Sequence, residues 1–255
     1  LDSKVDPKKF TDYLIAKHAS ERNEQIAKIN PNEFGNPEVK GGSGMSNKKA
    51  RRIIQNAKNE NKQIFCKSGF RNSYEQLYSE YLKPVMDKTL ATALKSGLID
   101  QENYEKLRTF YKYYVPLRGK ENSDNIMFAT GNGIDVRGKE FKRALGRTSK
   151  TEIVIPYIFQ QYNNMLLRAE RAKVMQALAK FVQENPNDDI TFATPDYVRK
   201  LQTNKGLDKV SWVRNPQWTN DTNLVGFKVE GKQYYLKFKN TSLAHSLRNQ
   251  GVSSV

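Results

Sequence analysis

Cysteine and histidine are scarce in this 255-residue sequence, which excludes several kinds of site. Cys66 is the single cysteine, so no disulfide can form within the chain. The two histidines, His18 and His245, lie near opposite ends. A structural zinc site usually needs four Cys or His ligands. We therefore expect no metal site and no bound cofactor.

Long apolar runs are also missing. No stretch approaches the roughly 20 consecutive apolar residues that a membrane-spanning helix needs. The first residues lack the basic and apolar regions of a secretory signal. The sequence therefore predicts no membrane span.

Recognisable catalytic patterns are absent as well. Nucleophilic catalysis needs a base beside the nucleophile, and nothing in the sequence links His18 or His245 to Cys66. Gly131-Asn132-Gly133 lacks the Gly-Lys-Ser/Thr signature and the strand-to-helix context of a phosphate-binding loop. Acidic pairs such as Asp188-Asp189 follow turn signals that account for them. We therefore expect no enzymatic activity.

Positive charge, by contrast, is abundant. The chain has 43 Lys and Arg against 27 Asp and Glu, a net charge of +16. This balance favours polyanionic partners, either nucleic acid or an anionic membrane surface. The excess is spread along the chain, which suits non-specific phosphate contact better than the recognition of base sequence. A soluble protein with a merely basic surface is the alternative.

Apolar residues at helical spacing predict a mainly α fold with long helices. The first helix should begin at Asp6-Pro7 and end at Asn30-Pro31. Ser46 should cap a second, basic helix after a Gly-rich loop. A third helix should cover about 71–95, with a kink at Pro84.

Further helices should follow the third one. Gly97 fits the left-handed position after a helix end, and Asp100 should cap a short helix. A second long helix should span about 152–184. It is preceded by a Gly-containing basic stretch with little apolar periodicity.

The last 70 residues predict a small α+β module. Ile190 to Phe192 is strand-like, whereas Pro195-Asp196 is expected to open a short helix. Apolar and polar residues alternate over Val210-Ser211-Trp212-Val213, which is typical of a strand. Residues 225–229 and 233–238 should form a β-hairpin around Glu230-Gly231. Leu243 to Arg248 should begin another helix.

These elements predict four segments. They are a helical domain over 1–118, a basic Gly-containing loop over 119–150, a long helix over 151–187 that packs on the first domain, and the α+β module over 188–255.

Two clusters of cations are the candidate nucleic-acid contacts. One lies on the polar side of the second helix and comprises Lys48, Lys49, Arg51 and Arg52. The other follows the basic loop and comprises Arg137, Lys139, Lys142, Arg143, Arg147 and Lys150. Either cluster could follow a phosphate backbone and release counterions. A charged solvent face explains the first cluster equally well, and a solvated or partner-facing surface loop is the favoured interpretation of the second.

Tyr111, Tyr113 and Tyr114 form a third candidate beside Lys112 and Arg118. Interleaved aromatic and basic residues are typical of surfaces that bind single-stranded nucleic acid. Packing of the rings, where a helix meets an extended segment, is the interpretation that we favour.

Six segments, in their order, resemble one family. They are His18-Ala19-Ser20-Glu21-Arg22-Asn23, Gly42-Ser43-Gly44-Met45-Ser46, Ser96-Gly97-Leu98-Ile99, Tyr114-Val115-Pro116-Leu117-Arg118-Gly119, Ala144-Leu145-Gly146-Arg147 and Val229-Glu230-Gly231-Lys232-Gln233-Tyr234-Tyr235. The set resembles a connecting region of the phage large polyvalent proteins. These include PLxRFG-type proteins and relatives of a phage protein that defends against restriction.

The resemblance implies a piece of a very large bacteriophage protein that is packaged in the virion and ejected with the genome. Its partners would be phage genomic DNA, bound non-specifically, other virion proteins and the rest of the same polypeptide. It implies no catalytic residues. The expected role is a scaffold, a DNA companion or part of an ejection conduit, located in the virion interior and later in the host cell.

Other hypotheses remain open. The chain could be an accessory domain of a phage nucleic-acid enzyme, such as a virion RNA polymerase or helicase. It could also be a cytoplasmic antirestriction factor. A homo-oligomer is equally compatible with the sequence.

Overall fold

The computed structural model describes residues 5–60, 64–65, 71–117, 133–141, 146, 148, 153–204 and 207–249. The fold is mainly α-helical, with one long helix and a small C-terminal sheet of antiparallel hairpin strands, which confirms the predicted fold class. The chain divides into two compact units. Unit 1 is Leu1–Lys95, Ile99–Thr130 and Lys139–Leu167, and unit 2 is Ser96–Leu98, Gly131–Gly138 and Arg168–Val255.

Unit 1 begins with helix α1, Pro7–Ile29, as the sequence predicts. The Asp6 side chain accepts hydrogen bonds from the backbone N–H groups of Lys8 and Lys9, which caps the helix. A four-residue helix α2, Pro31–Phe34, follows within the stretch expected to be a loop. Helix α3, Asn47–Glu60, begins after Ser46, whose hydroxyl accepts from the N–H of Lys49 at 3.3 Å.

The predicted helix over 71–95 is composite. Strands β1, Ile64–Phe65, and β2, Arg71–Asn72, form a short antiparallel pair ahead of it. Helix α4, Tyr74–Leu77, is capped by Ser73 and continues into a π-helical segment, Tyr78–Leu82, before helix α5, Lys83–Lys95. Pro84 lacks an N–H and would press against the carbonyl four residues earlier. The wider π turn just before it relieves this conflict, in place of a simple kink.

The short helix α6, Gln101–Phe110, and the long helix α7, Val154–Glu184, follow α5 along the chain. Gly97 adopts the left-handed conformation expected of it, with φ 68°, and Asp100 caps α6. Residues of α7 belong to both units, with the division between Leu167 and Arg168. The four-segment division made from sequence stays a prediction.

The core of unit 1 gathers apolar side chains from most of its helices. Those of α1 lie at its centre, and α3, α4, the π-helical segment and the start of α7 add to it. The buried members are Phe10, Tyr13, Leu14, Ile15, Ala16, Ala19, Met45, Ala50, Leu77, Tyr78, Leu82, Val115, Val154 and Ile158.

Unit 2 contains a three-stranded antiparallel sheet. Its order is β3, Ile190–Ala193, then β7, Lys232–Phe238, then β6, Leu224–Val229. β6 and β7 form the predicted hairpin around Glu230 and Gly231, both with positive φ. Helix α9, Thr241–Asn249, begins within two residues of its predicted start. Sheet and helices bury a second core, formed by Met175, Ala179, Val182, Val225, Phe227, Leu236, Phe238 and Ala244.

A second hairpin of unit 2 corrects one prediction. Pro195-Asp196 does not open a helix; strand β4, Tyr197–Asn204, starts there and pairs with β5, Leu207–Arg214. The β-branched and aromatic residues of β5 favour strand over helix. The two strands pair along their whole length. The short helix of this region, α8, Pro216–Asn220, comes after β5.

Residues 133–138, which fall in the predicted loop, pack into unit 2. The N–H of Ile134 donates to the carbonyl of Leu247 at 2.8 Å, and the N–H of Val136 donates to that of Gly226 at 2.8 Å. A Cβ on Gly226 would lie 2.7 Å from the Arg137 side chain, so only glycine allows this approach. Part of the basic stretch is therefore ordered against the sheet.

No helix in the described part of the chain is long and apolar enough to cross a membrane.

Candidate nucleic-acid interface

Helix α3 has two sharply different faces. Its apolar side chains are Ala50, which is fully buried, and Ile53, Ile54 and Ala57, which pack on the core of unit 1. The opposite face is exposed and carries only cations and amides: Lys48, Lys49, Arg51, Arg52, Gln55, Asn56, Lys58 and Asn59. Residues three or four apart lie next to each other on a helix surface. One such line on α3 is formed by Lys48, Arg52, Gln55 and Asn59. The apolar face therefore fixes which way the cations point.

A Gly-rich loop holds the first turn of α3 in place. The buried Asn23 of α1 donates from Nδ2 to the carbonyl of Met45 at 2.9 Å and to Oδ1 of Asn47 at 2.8 Å. Its Oδ1 accepts from the N–H of Ser43 at 2.8 Å. A Cβ on Gly41 would lie 2.0 Å from the Met45 carbonyl oxygen, so the loop closes around the amide only with glycine there. The helix start is thereby fixed to α1.

The cations of α3 differ in how they are paired. Arg51 forms a two-pronged ion pair with Glu38, in which the Nη1 to Oε1 distance is 3.0 Å. A hydrogen bond from Arg51 lowers the pKa of Glu38, and the same hydrogen bond raises that of Arg51. Among the residues that the structure describes, no carboxylate forms an ion pair with Lys48, Lys49 or Arg52. These three cations are therefore accessible to an external anion.

The second predicted cluster is only partly described. Arg137 is held inside unit 2, where Nε donates to Asp135 at 2.9 Å and an Nη group donates to the carbonyl of Leu224. Its guanidinium also lies over the ring of Tyr235, 5.5 Å from the centroid. These contacts give Arg137 a structural role. Lys139 is exposed, whereas Lys142, Arg143, Arg147 and Lys150 lie outside the described residues.

The tyrosines of the third candidate pack inside unit 1. The His18 ring meets the Tyr111 ring edge-on at 4.8 Å and the Tyr114 ring at 5.8 Å. Lys17 lies over the Tyr113 ring at 4.1 Å. The favoured interpretation, aromatic packing, is therefore the one that the geometry supports.

Burial makes His18 chemically unusual, which sequence inspection did not reveal. Its side chain is fully buried, and neither ring nitrogen has a hydrogen-bond partner in normal geometry within the described chain. Burial, reinforced by the nearby Arg22 guanidinium, lowers the pKa of His18 to about 3, although the backbone of Tyr113 acts in the opposite direction. The imidazole is therefore neutral at physiological pH. The sequence does not show that His18 lies among aromatic rings, because only the fold brings these rings together.

Acidic side chains are the remaining candidates for catalysis or metal binding. Across the described ranges, no three His, Cys, Asp or Glu residues come close enough together to hold a metal ion. The Glu75 carboxylate of unit 1 accepts a hydrogen bond from the Tyr13 hydroxyl at 2.7 Å and pairs with Lys17 at 3.0 Å. Partial burial raises the pKa of Glu75, but the hydrogen bonds from Tyr13 and Lys17 lower it further, so the net shift is downward. The arrangement ties α1 to α4.

Comparisons with protein-family models, with curated proteins and with solved structures found no match to this chain.

Proposed function

We propose that this chain is a non-catalytic domain that binds the phosphate backbone of nucleic acid through the exposed face of α3, with little regard to base sequence. The observation that carries the proposal is the accessible group of Lys48, Lys49 and Arg52 on a helix whose opposite face is anchored in the core. The net charge of +16 points in the same direction.

The chemistry of this face matches phosphate better than base edges. Lysine and arginine neutralise phosphates, and amide side chains donate hydrogen bonds to phosphate oxygens. Each phosphate that is neutralised releases condensed counterions, which favours binding at low salt. Gln55 and Asn59 bond to each other at 3.2 Å, with Gln55 Nε2 as the donor. The face therefore offers positive charge and few free acceptors, a combination that suits an anionic strand.

A charge-matched pair of variants tests this proposal. Lys48→Gln with Arg52→Gln removes two cations from the face, whereas Lys88→Gln with Lys95→Gln removes two exposed cations from α5 in the same unit. Affinity for a random-sequence duplex is measured by fluorescence anisotropy at several salt concentrations. The plot of log affinity against log salt has a negative slope, to which each phosphate contact contributes about −0.9. The first variant should therefore make this slope shallower by about 1.8. Equal losses in the two variants would show that only net charge matters.

The biological setting is proposed on the resemblance to phage large polyvalent proteins. There the domain would be packaged in the virion and ejected with phage genomic DNA, as scaffold, DNA companion or conduit component. Mass spectrometry of purified particles tests this setting. Peptides of the chain should be found in washed virions; their restriction to infected-cell extracts would favour the cytoplasmic antirestriction alternative instead.

A further inference from the structure

The β4–β5 ribbon of unit 2 is anchored at its base. Asn215 closes its base, since its N–H donates to the carbonyl of Asp196 at 2.9 Å and its amide donates to the carboxylate at 3.0 Å. Arg214 donates to the Tyr235 hydroxyl in the three-stranded sheet and lies over the same ring. Within the described residues no other element packs extensively on the ribbon. It therefore presents its two strands outward from a fixed base.

One face of the ribbon displays aromatic rings. Trp212 is 70% exposed and Tyr197 is 49% exposed, although large aromatic side chains are usually buried. The register pairs Tyr197 with Arg214 and Arg199 with Trp212. Residues directly opposite each other in an antiparallel pair share a face, and so do residues two apart on one strand. All four positions therefore lie on the same face, where aromatic and cationic residues alternate.

Charge identifies the class of partner. Residues 197–214 contain five cations and a single acid, Asp208. The cations are Arg199, Lys200, Lys205, Lys209 and Arg214. An apolar protein groove would accept the tryptophan but would gain nothing from this excess of positive charge. A polyanion that also carries flat apolar groups satisfies both features.

We propose that the β4–β5 ribbon binds unpaired nucleic acid, with the Trp212 ring stacking on a base and the positive charge of the segment favouring the neighbouring phosphates. Unpaired bases expose their faces, whereas the bases of a duplex already stack on one another and offer only their edges. An indole has one hydrogen-bond donor and no acceptor, so it suits stacking better than groove recognition. This site is separate from the α3 face and goes beyond the proposed function of that helix.

Tryptophan fluorescence tests the ribbon directly. Trp212 and Trp218 are the two tryptophans, so Trp218→Phe leaves Trp212 as the sole indole of the full chain. A 20-nucleotide oligo(dT) should quench its emission, whereas a 20-base-pair duplex should leave it nearly unchanged. Unchanged emission at saturating oligo(dT) would overturn the proposal, as would a response to anionic lipid vesicles alone, which would indicate a membrane surface.

Affinity measurements provide the second readout. Trp212→Thr removes the ring and keeps a residue that favours strands, and it should weaken oligo(dT) binding about tenfold while changing duplex affinity less than twofold. Trp212→Phe keeps a smaller ring and should therefore lose less affinity for oligo(dT). Phe181→Leu, at an exposed aromatic of unit 2, is the matched control and should change neither affinity. Equal weakening of single-strand and duplex binding by Trp212→Thr would overturn the ribbon proposal and leave the α3 proposal to its own variants.

Discussion

Asn23 in the middle of α1 donates a hydrogen bond to Asn47, the first residue of α3, over 2.8 Å. The Asn47 side chain also helps to lower the pKa of Glu38, which pairs with Arg51. The buried Asn23 amide thus holds the start of the helix that carries the cationic face. The position of the candidate interface depends on one buried amide.

The first prediction concerns that amide. Asn23→Ala removes hydrogen bonds to two loop residues and to the first residue of α3, and it leaves buried groups unsatisfied. We expect a loss of roughly 3 kcal/mol in the free energy of unfolding, measured by chemical denaturation. Asn56→Ala, at an exposed amide of α3, is the control and should cost under about 0.5 kcal/mol. A small effect of Asn23→Ala would mean that the loop holds its shape without the amide.

The second prediction concerns Glu38. Glu38→Gln releases Arg51 from its ion pair, so the α3 face gains one cation for phosphate binding. Duplex affinity at low salt should rise, and the salt slope should steepen by about 0.9. Glu33→Gln removes an equal charge nearby, from the pair with Lys40, and serves as the control. Identical effects of the two variants would argue against a local role of Arg51.

The third prediction concerns pH. The folded protein binds a proton at His18 less readily than the unfolded chain, whose histidine pKa is about 6.5. The contribution of neutral His18 to the free energy of unfolding is therefore fully present above pH 6.5, and it decreases as the pH falls toward 3. Between pH 7.5 and pH 5 the loss should reach about 2 kcal/mol, measured by denaturation at both pH values.

A variant isolates this contribution. His18→Phe keeps a ring against Tyr111 and Tyr114 and cannot be protonated, so its stability should change less with acid. His245→Gln changes an exposed position, and this variant should lose as much stability between pH 7.5 and pH 5 as the unchanged chain. If His18→Phe loses as much stability at pH 5 as the unchanged chain, another group causes the acid sensitivity.

The fourth prediction concerns the β6–β7 turn. Glu230 has φ 48° and Gly231 has φ 76°, a combination that favours Asn-Gly. Glu230→Asn should stabilise unit 2 by roughly 0.5–1 kcal/mol, seen as a higher Tm. Glu230→Gln removes the charge and keeps the conformational cost, so it should have little effect. A gain of equal size in Glu230→Gln would point to charge instead of backbone conformation.

Local signals were sufficient for most of the helices. The Asp6 and Asp100 caps, the Gly97 helix end and the Glu230-Gly231 turn depend on nearby residues, and each lies where its pattern predicts. Alternation over residues 210–213 indicated part of β5, whereas the π-helical segment and the pairing of β4 with β5 were missed. The first arises from Pro84 acting on the preceding turn, and the second from pairing between strands that periodicity alone does not reveal.

The candidate site was predictable to a similar degree. Helical spacing separates the cations of α3 from its apolar residues, so its exposed face could be foreseen. The inward contacts of Arg137 and the pairing of Arg51 with Glu38 could not, because their partners come from distant or unrelated parts of the sequence. Charge counts identify cations, whereas only the fold shows which of them are already neutralised.

Salt dependence of duplex binding by the full chain tests the central claim most directly. Four exposed cations of α3, Lys48, Lys49, Arg52 and Lys58, predict a slope of log affinity against log salt near −3 to −4 if all contact phosphate. Two duplexes of unrelated sequence should give the same slope and similar affinities. A slope near zero, or strong preference for one sequence, would contradict non-specific binding to the phosphate backbone.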